Sequence, residues 1–196
     1  MTQANEASRR EFLSSTAQGA ALVGAVGGLG YLMSHDSGLT DEPSLAASVT
    51  VISTGAGRAR KLAVGPDDRI YVAADRAVLV FAADGTRRAQ IDLPRPARCL
   101  AVSSEGNLFV GLIDHVRVFD ATGTLQQTWN SPSDEAILAG IAVGGNSVYV
   151  ADAGNGVVWK YDRSGNRVAR IEGQDGFSAP AEFFSMTATE DDTLHI

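Results

Sequence analysis

A short apolar pattern comes round four times along the chain, and this recurrence constrains the fold more than any other feature. Leu62-Ala63-Val64 is followed, after six residues, by Tyr71-Val72-Ala73. Leu100-Ala101-Val102 leads in the same way to Phe109-Val110-Gly111, and Ile141-Ala142-Val143, after five residues, to Tyr149-Val150-Ala151. A fourth copy begins at Met186 and ends with Leu194-His195-Ile196, where the sequence stops. The start points 62, 100, 141 and 186 are 38, 41 and 45 residues apart. Strand-like units at this period belong to stacked or circular repeat folds. The unfinished fourth copy carries the expectation that the chain is C-terminally truncated and that further copies complete it.

The third repeat is the easiest to divide. Gly140-Ile141-Ala142-Val143 is a β-type run, and Gly144-Gly145-Asn146 is a turn signal. Val148-Tyr149-Val150-Ala151 and Val157-Val158-Trp159-Lys160-Tyr161 are β-branched and aromatic, as strands prefer. Asp152 to Gly156 and Asp162 to Asn166 turn the chain, and Val168 to Ile171 is a more polar fourth strand suited to an outer edge. The first two repeats follow suit, with turns at Ala83-Asp84-Gly85 and Ala121-Thr122-Gly123 and fourth strands around Ile91 and Trp129. No segment between turns has the length of an ordinary helix. Four antiparallel strands per unit of this size describe an all-β fold, the β-propeller, with three blades and part of a fourth present. The blades are expected over 58–94, 95–133, 134–176 and 177–196.

The string Gly140-Ile-Ala-Val, Val148-Tyr-Val-Ala-Asp, Asn155, Tyr161-Asp and Gly165 resembles the NHL repeat family. Lys61 and Cys99 stand where Gly140 does, Asp75 matches Asp152, and the second repeat has only a shifted Asp114. The resemblance covers residues 58–196. By resemblance the complete ring would have six blades. An orphan β-type segment, 48–52 within a stretch 47–57, precedes the first blade by the distance at which fourth strands precede later blades. It is expected to be the outer strand of a closing blade, which would remove exposed sheet edges.

Residues 1–46 are of a different character. Arg9 and Arg10 stand just ahead of an uncharged run from Phe12 to Ser34 that is rich in Ala, Gly, Leu and Val. A basic pair before an apolar segment is the layout of an export signal. Ser8-Arg9-Arg10-Glu11-Phe12-Leu13 resembles the twin-arginine (Tat) translocation motif. That resemblance implies bacterial export of the folded protein by the Tat translocase, to the periplasm or beyond. The run is expected to be helical. It is either cleaved, with Ser44-Leu45-Ala46 as a small-x-small site, or kept as a membrane anchor over residues 14–34.

Composition narrows the function. The formal charge is -7 and no long Lys/Arg run exists, so a nucleic-acid partner is not expected. The lone Cys99 allows no internal disulfide and reads as a small buried hydrophobe. No Gly-x-Ser-x-Gly, Walker loop or zinc motif is present, so no catalytic residues, metal or cofactor are assigned. Propeller ligands bind at loops around the central channel. One face collects the links between second and third strands and the links between blades. It holds Arg58, Arg60, Arg95, Arg98, Asp75, Arg76, Asp114, His115, Asp152 and Asn155. Arg60 and Arg98, each two residues before the first apolar position of its blade, could hold an anionic ligand or partner; otherwise they are solvated or paired with aspartates. Asp152 and Asn155 flank a Gly-rich turn and suit backbone hydrogen bonding, with calcium the sharper alternative. The expectation is an exported binding scaffold for a protein or small ligand. The rivals are a metal-dependent lactonase- or lyase-like propeller enzyme, and an accessory subunit of a membrane redox complex.

Overall fold

The computed structural model describes residues 20–23, 50–55, 58–172 and 184–196. At the front, β1 (Ala20–Val23) pairs antiparallel with β2 (Thr50–Ser53). Three sheets of four antiparallel strands follow, each a simple meander. The first holds β3 (Ala59–Val64), β4 (Ile70–Ala74), β5 (Ala77–Phe81) and β6 (Arg87–Asp92). The second holds β7 (Cys99–Val102), β8 (Leu108–Gly111), β9 (Val116–Phe119) and β10 (Leu125–Trp129). The third holds β11 (Leu138–Val143), β12 (Ser147–Asp152), β13 (Val157–Asp162) and β14 (Arg167–Glu172). A pair, β15 (Thr187–Ala188) and β16 (Leu194–His195), begins a fourth. These sheets are the blades of a β-propeller, as the repeat spacing predicts.

Burial follows from the stacking of blade on blade. The second strands β4, β8 and β12 are buried at every position. Both faces of each are covered, so they read as continuous apolar runs rather than as an alternation. Outer strands β6 and β10 are exposed except at one residue each, Ile91 and Trp129. Tyr71, Val78, Val80 and Ile91 of blade 1 pack on Leu100, Leu108, Val110 and Phe119 of blade 2. Phe109, Val116 and Trp129 of blade 2 pack on Ile141, Val150, Trp159 and Tyr161 of blade 3. Both tryptophans therefore cement blades, as their strand positions suggest. Each fully buried Val, Leu or Phe contributes about 1.5–3 kcal/mol. Blade 3 is sewn to the fourth pair by the Tyr149 hydroxyl, which donates to Asp192 O at 2.7 Å, while Asp192 Oδ1 accepts from Asn146 N and Ser147 N at 3.1 Å.

One contact repeats from blade to blade. The turn joining third to fourth strand carries a glycine with positive φ: Gly85 at 81°, Gly123 at 87° and Gly165 at 85°. An outer-strand side chain lies against each one. It is Ile52 for Gly85, Ile91 for Gly123 and Trp129 for Gly165. Ile52 of β2 thus takes toward blade 1 the position that Ile91 and Trp129 take toward blades 2 and 3. The orphan strand, expected at 48–52, lies at 50–53, and it pairs with β1. The export motif and the expected helix over 14–34 lie outside the described residues, apart from Ala20–Val23, which are strand.

The same turns set a pH dependence. Asp84, Asp120 and Asp162 each accept hydrogen bonds within their own turn. A bond from Thr86 N–H lowers Asp84 below its usual 3.8, the Thr122 hydroxyl does so for Asp120, and the Asn166 amide for Asp162. Hydrogen bonding to the charged form makes each a stronger acid when folded. Their contribution is full above the unfolded value and is lost as pH falls through the lower folded values. Stability should therefore decline below about pH 4. A carbon-detected titration should give midpoints below 3.8 for all three. Midpoints at or above that value would refute the assignment.

Cys99 is 2% exposed, with Sγ lying where a Gly111 side chain would begin. Burial pushes its thiol up to about 12. The expected result is no reaction with a disulfide reagent at pH 8 in the native protein and one thiol released in denaturant. Rapid native labelling would contradict the burial.

Candidate functional site

The links between second and third strands and the links between blades meet at one end of the sheets, as antiparallel meanders require. The ten expected site residues lie in these loops or, for Arg60 and Asp152, at the adjoining strand ends, in three groups, one per blade. In blade 1, Arg58 N–H donates to Asp75 Oδ1 at 3.3 Å, and Asp75 N–H returns a bond to Arg58 O. Asp75 sits at φ 49°, a backbone angle that Asp tolerates better than most residues. Arg76 Nη2 donates to Pro94 O across the link to blade 2. Arg60 and Arg95 are exposed. Arg60 is the extra residue of a β-bulge, since Ala59 pairs with Ala74 and Lys61 with Ala73.

In blade 2, Arg98 is half-buried and its Nε–H donates to Leu138 O at 2.9 Å. It therefore bridges to the inner strand of blade 3, whereas the equivalent Arg60 is exposed. Asp114 Oδ1 and His115 Nδ1 lie 2.7 Å apart, a neighbour contact at the loop surface. In blade 3, Asp152 is 0% exposed and accepts five hydrogen bonds. Oδ1 takes Ile137 N, Gly154 N and Asn155 N at 3.0–3.2 Å. Oδ2 takes the Asn155 amide at 2.7 Å and the Trp159 indole at 3.0 Å. The Asn155 amide also reaches Ser133 Oγ at 2.6 Å. With its lone pairs committed to N–H donors, this carboxylate organises the loop rather than presenting itself to a cation.

Two residues of this face escape a sequence-based reading. Ile113 and Ile137 are 39% and 41% exposed. The loops carrying them are joined, since Leu138 N–H donates to Ile113 O at 2.8 Å and Ala153 N–H to Ile137 O at 2.8 Å. Both isoleucines are exposed at the blade 2–blade 3 junction, with Asp114 and His115 in the loop of Ile113 and Asn155 in the adjoining 153–156 link. An isoleucine in a link reads as core from sequence alone, because nothing local distinguishes an inward from an outward side chain.

No protein-family model and no curated protein sequence matches the chain. Solved structures do resemble it. A streptogramin B lyase superposes with a TM-score of 0.63 at 15% identity, over 76% of this chain and 52% of that one. Virginiamycin B lyase from Staphylococcus aureus gives 0.63 at 16%, over 77% and 53%. Hydrazine synthase from Kuenenia stuttgartiensis gives 0.57 at 17%, over 68% and 40%. The chain thus spans about half the length of those lyases. Identities this low show a shared fold, which hosts unrelated chemistries.

Proposed function

We propose that the chain is an exported, NHL-like propeller that acts as a binding scaffold through its loop face. The observation that carries this reading is the exposed pair Ile113 and Ile137, held on loops whose backbones are tied across two blades. Two exposed isoleucines on hydrogen-bonded, otherwise polar loops suit a protein segment or a small ligand with apolar parts. Around them, Asp152 and Asn155 keep the loops in shape while Arg60 and Arg95 supply exposed charge. In this reading β2 is the outer strand of a closing blade, as the placement of Ile52 suggests. Export rests on Arg9, Arg10, Phe12 and Leu13.

Two measurements test it. Full-length protein should capture a partner from the periplasmic fraction of the producing cell. Ile113→Asp with Ile137→Asp should lose that partner, while Val168→Asp on the remote outer strand β14 keeps it. Equal capture by both variants would remove the loop face from the reading. Replacing Arg9 and Arg10 by Lys should leave the protein in the cytoplasm; unchanged periplasmic recovery would refute Tat export.

A second reading is an exported propeller enzyme, lactonase- or lyase-like and metal-dependent; it shares with the lyase neighbours a fold that also hosts enzymes. A divalent ion bound stoichiometrically by the purified full-length protein would support that reading against the scaffold. Co-purification with haem or iron–sulfur subunits would instead favour an accessory subunit of a redox complex.

A further inference from the structure

At the end of the blades opposite the loop face, the groove between blades 2 and 3 is filled and the groove between blades 1 and 2 is not. In the filled groove Trp129 covers Gly165 and stacks on Tyr161, with ring centroids 5.2 Å apart and planes at 26°. Arg163 extends over Phe109 at 5.8 Å and donates to Gly144 O and Gly145 O at 2.7 and 3.0 Å. In the neighbouring groove the corresponding residues are Ile91 and Ala121. Their smaller side chains leave a cleft of about 700 Å³ over Tyr71, Val80 and Ile91. That volume falls within the range of small-molecule sites, roughly 300–1,000 Å³.

The charges at its rim are not equally available. Asp67 is paired with Arg69 at 2.7 Å, and Arg69 Nη1 also donates to Ala121 O at 3.3 Å. The Asp120 carboxylate accepts from Thr122 N, Thr122 Oγ1, Thr124 N and Gln126 Nε2. Arg88 is different. Val80 pairs with Ala89 and Phe81 with Arg87, so Arg88 is the extra residue of a bulge, a device that re-aims a side chain. Its counterparts are Gln126, which bonds Asp120, and Val168, which is exposed. Arg88 lines the cleft and makes no hydrogen bond or ion pair with another described residue; it only helps to lower Asp84 through its charge. The Tyr71 hydroxyl also has no hydrogen bond to a described residue, whereas its counterpart Tyr149 donates to Asp192 O.

We propose that this cleft binds a small organic acid, its apolar body lying on Tyr71, Val80 and Ile91 and its carboxylate facing the Arg88 guanidinium and the Tyr71 hydroxyl. An apolar floor with one uncommitted guanidinium at the rim selects an anion with an apolar body over a cation of the same shape. The site is independent of the reading of the loop face.

The test uses the full-length protein and three probes of one shape: 2-naphthoate, 2-naphthylmethylamine and 2-naphthalenemethanol. Fluorescence titration should show saturable binding of naphthoate and much weaker binding of the amine. Arg88→Gln, at an exposed position, should weaken naphthoate at least about fivefold and leave the alcohol unchanged. Ala121→Leu, which narrows the cleft without adding charge, should abolish naphthoate binding. Three results would each overturn the proposal. One is amine or alcohol binding as tight as naphthoate. The second is naphthoate affinity within about twofold of wild type in either variant. The third is no saturable naphthoate binding at concentrations up to about 5 mM, the weak end of ordinary ligand affinities.

Discussion

Asp152→Ala should lower the stability of the propeller by at least about 3 kcal/mol and its melting temperature by roughly 10 °C. The side chain is 0% exposed and satisfies three backbone amides, one side-chain amide and the Trp159 indole. Truncation leaves buried donors with no acceptor, and hydrogen bonds to a charged group are each worth about 1.5–3 kcal/mol. The effect should exceed that of Asp75→Ala, because Asp75 is exposed and water can replace it. Asp152→Asn should be intermediate or worse than intermediate, since its NH₂ would face N–H donors. The check is urea denaturation followed by Trp fluorescence. A loss below about 1 kcal/mol would mean that the loop finds other acceptors.

Gly165→Ala should be the most damaging of the repeated turn substitutions. A Cβ there would lie 2.4 Å from Trp129 Cδ1 and Nε1, and the ring cannot retreat because it is stacked on Tyr161 and lies 5.7 Å from Phe109. The left-handed backbone adds strain of about 1 kcal/mol, and overpacking adds roughly 1–3 kcal/mol. Gly123→Ala meets Ile91 at 3.2 Å and should cost less. Gly55→Ala has a similar φ but nothing within 4 Å, so it should cost only the backbone strain, about 1 kcal/mol. Trp129→Ile should rescue part of the Gly165→Ala loss in the double variant, because Ile is the residue that already sits over Gly123. Additive losses would show that the clash is not the cause.

Much of this fold was legible in the sequence. The blades, their strand order and the polar outer strands follow from β-branched runs separated by Gly, Asp and Asn turns. Asp152 also read correctly as an acceptor of backbone N–H groups, because Asx chemistry is local, whereas the Asn155 amide donates to Ser133 Oγ and Asp152 Oδ2 instead of accepting from the backbone. Position in space was not legible in the same way. The bulges at Arg60 and Arg88 shift a side chain by one register step, which alternation alone does not reveal. The bond from Arg98 to Leu138 O joins residues 40 apart. The open cleft arises from two modest side chains, Ile91 and Ala121, whose meaning emerges only beside Trp129 and Arg163.

The contact of outer strand with following turn has a mechanical consequence. Ile52, Ile91 and Trp129 all point forward along the chain, each wedged beneath a later turn. Tension applied at the N-terminus would draw out β2 and release the 82–86 turn of blade 1 first, leaving the wedges at Ile91 and Trp129 in place. Tension from the C-terminus would peel β16 and β15 from blade 3 before any of these three wedges is disturbed. The blades are therefore built to unravel with a direction, and a pulling experiment on opposite termini should record two different sequences of force peaks.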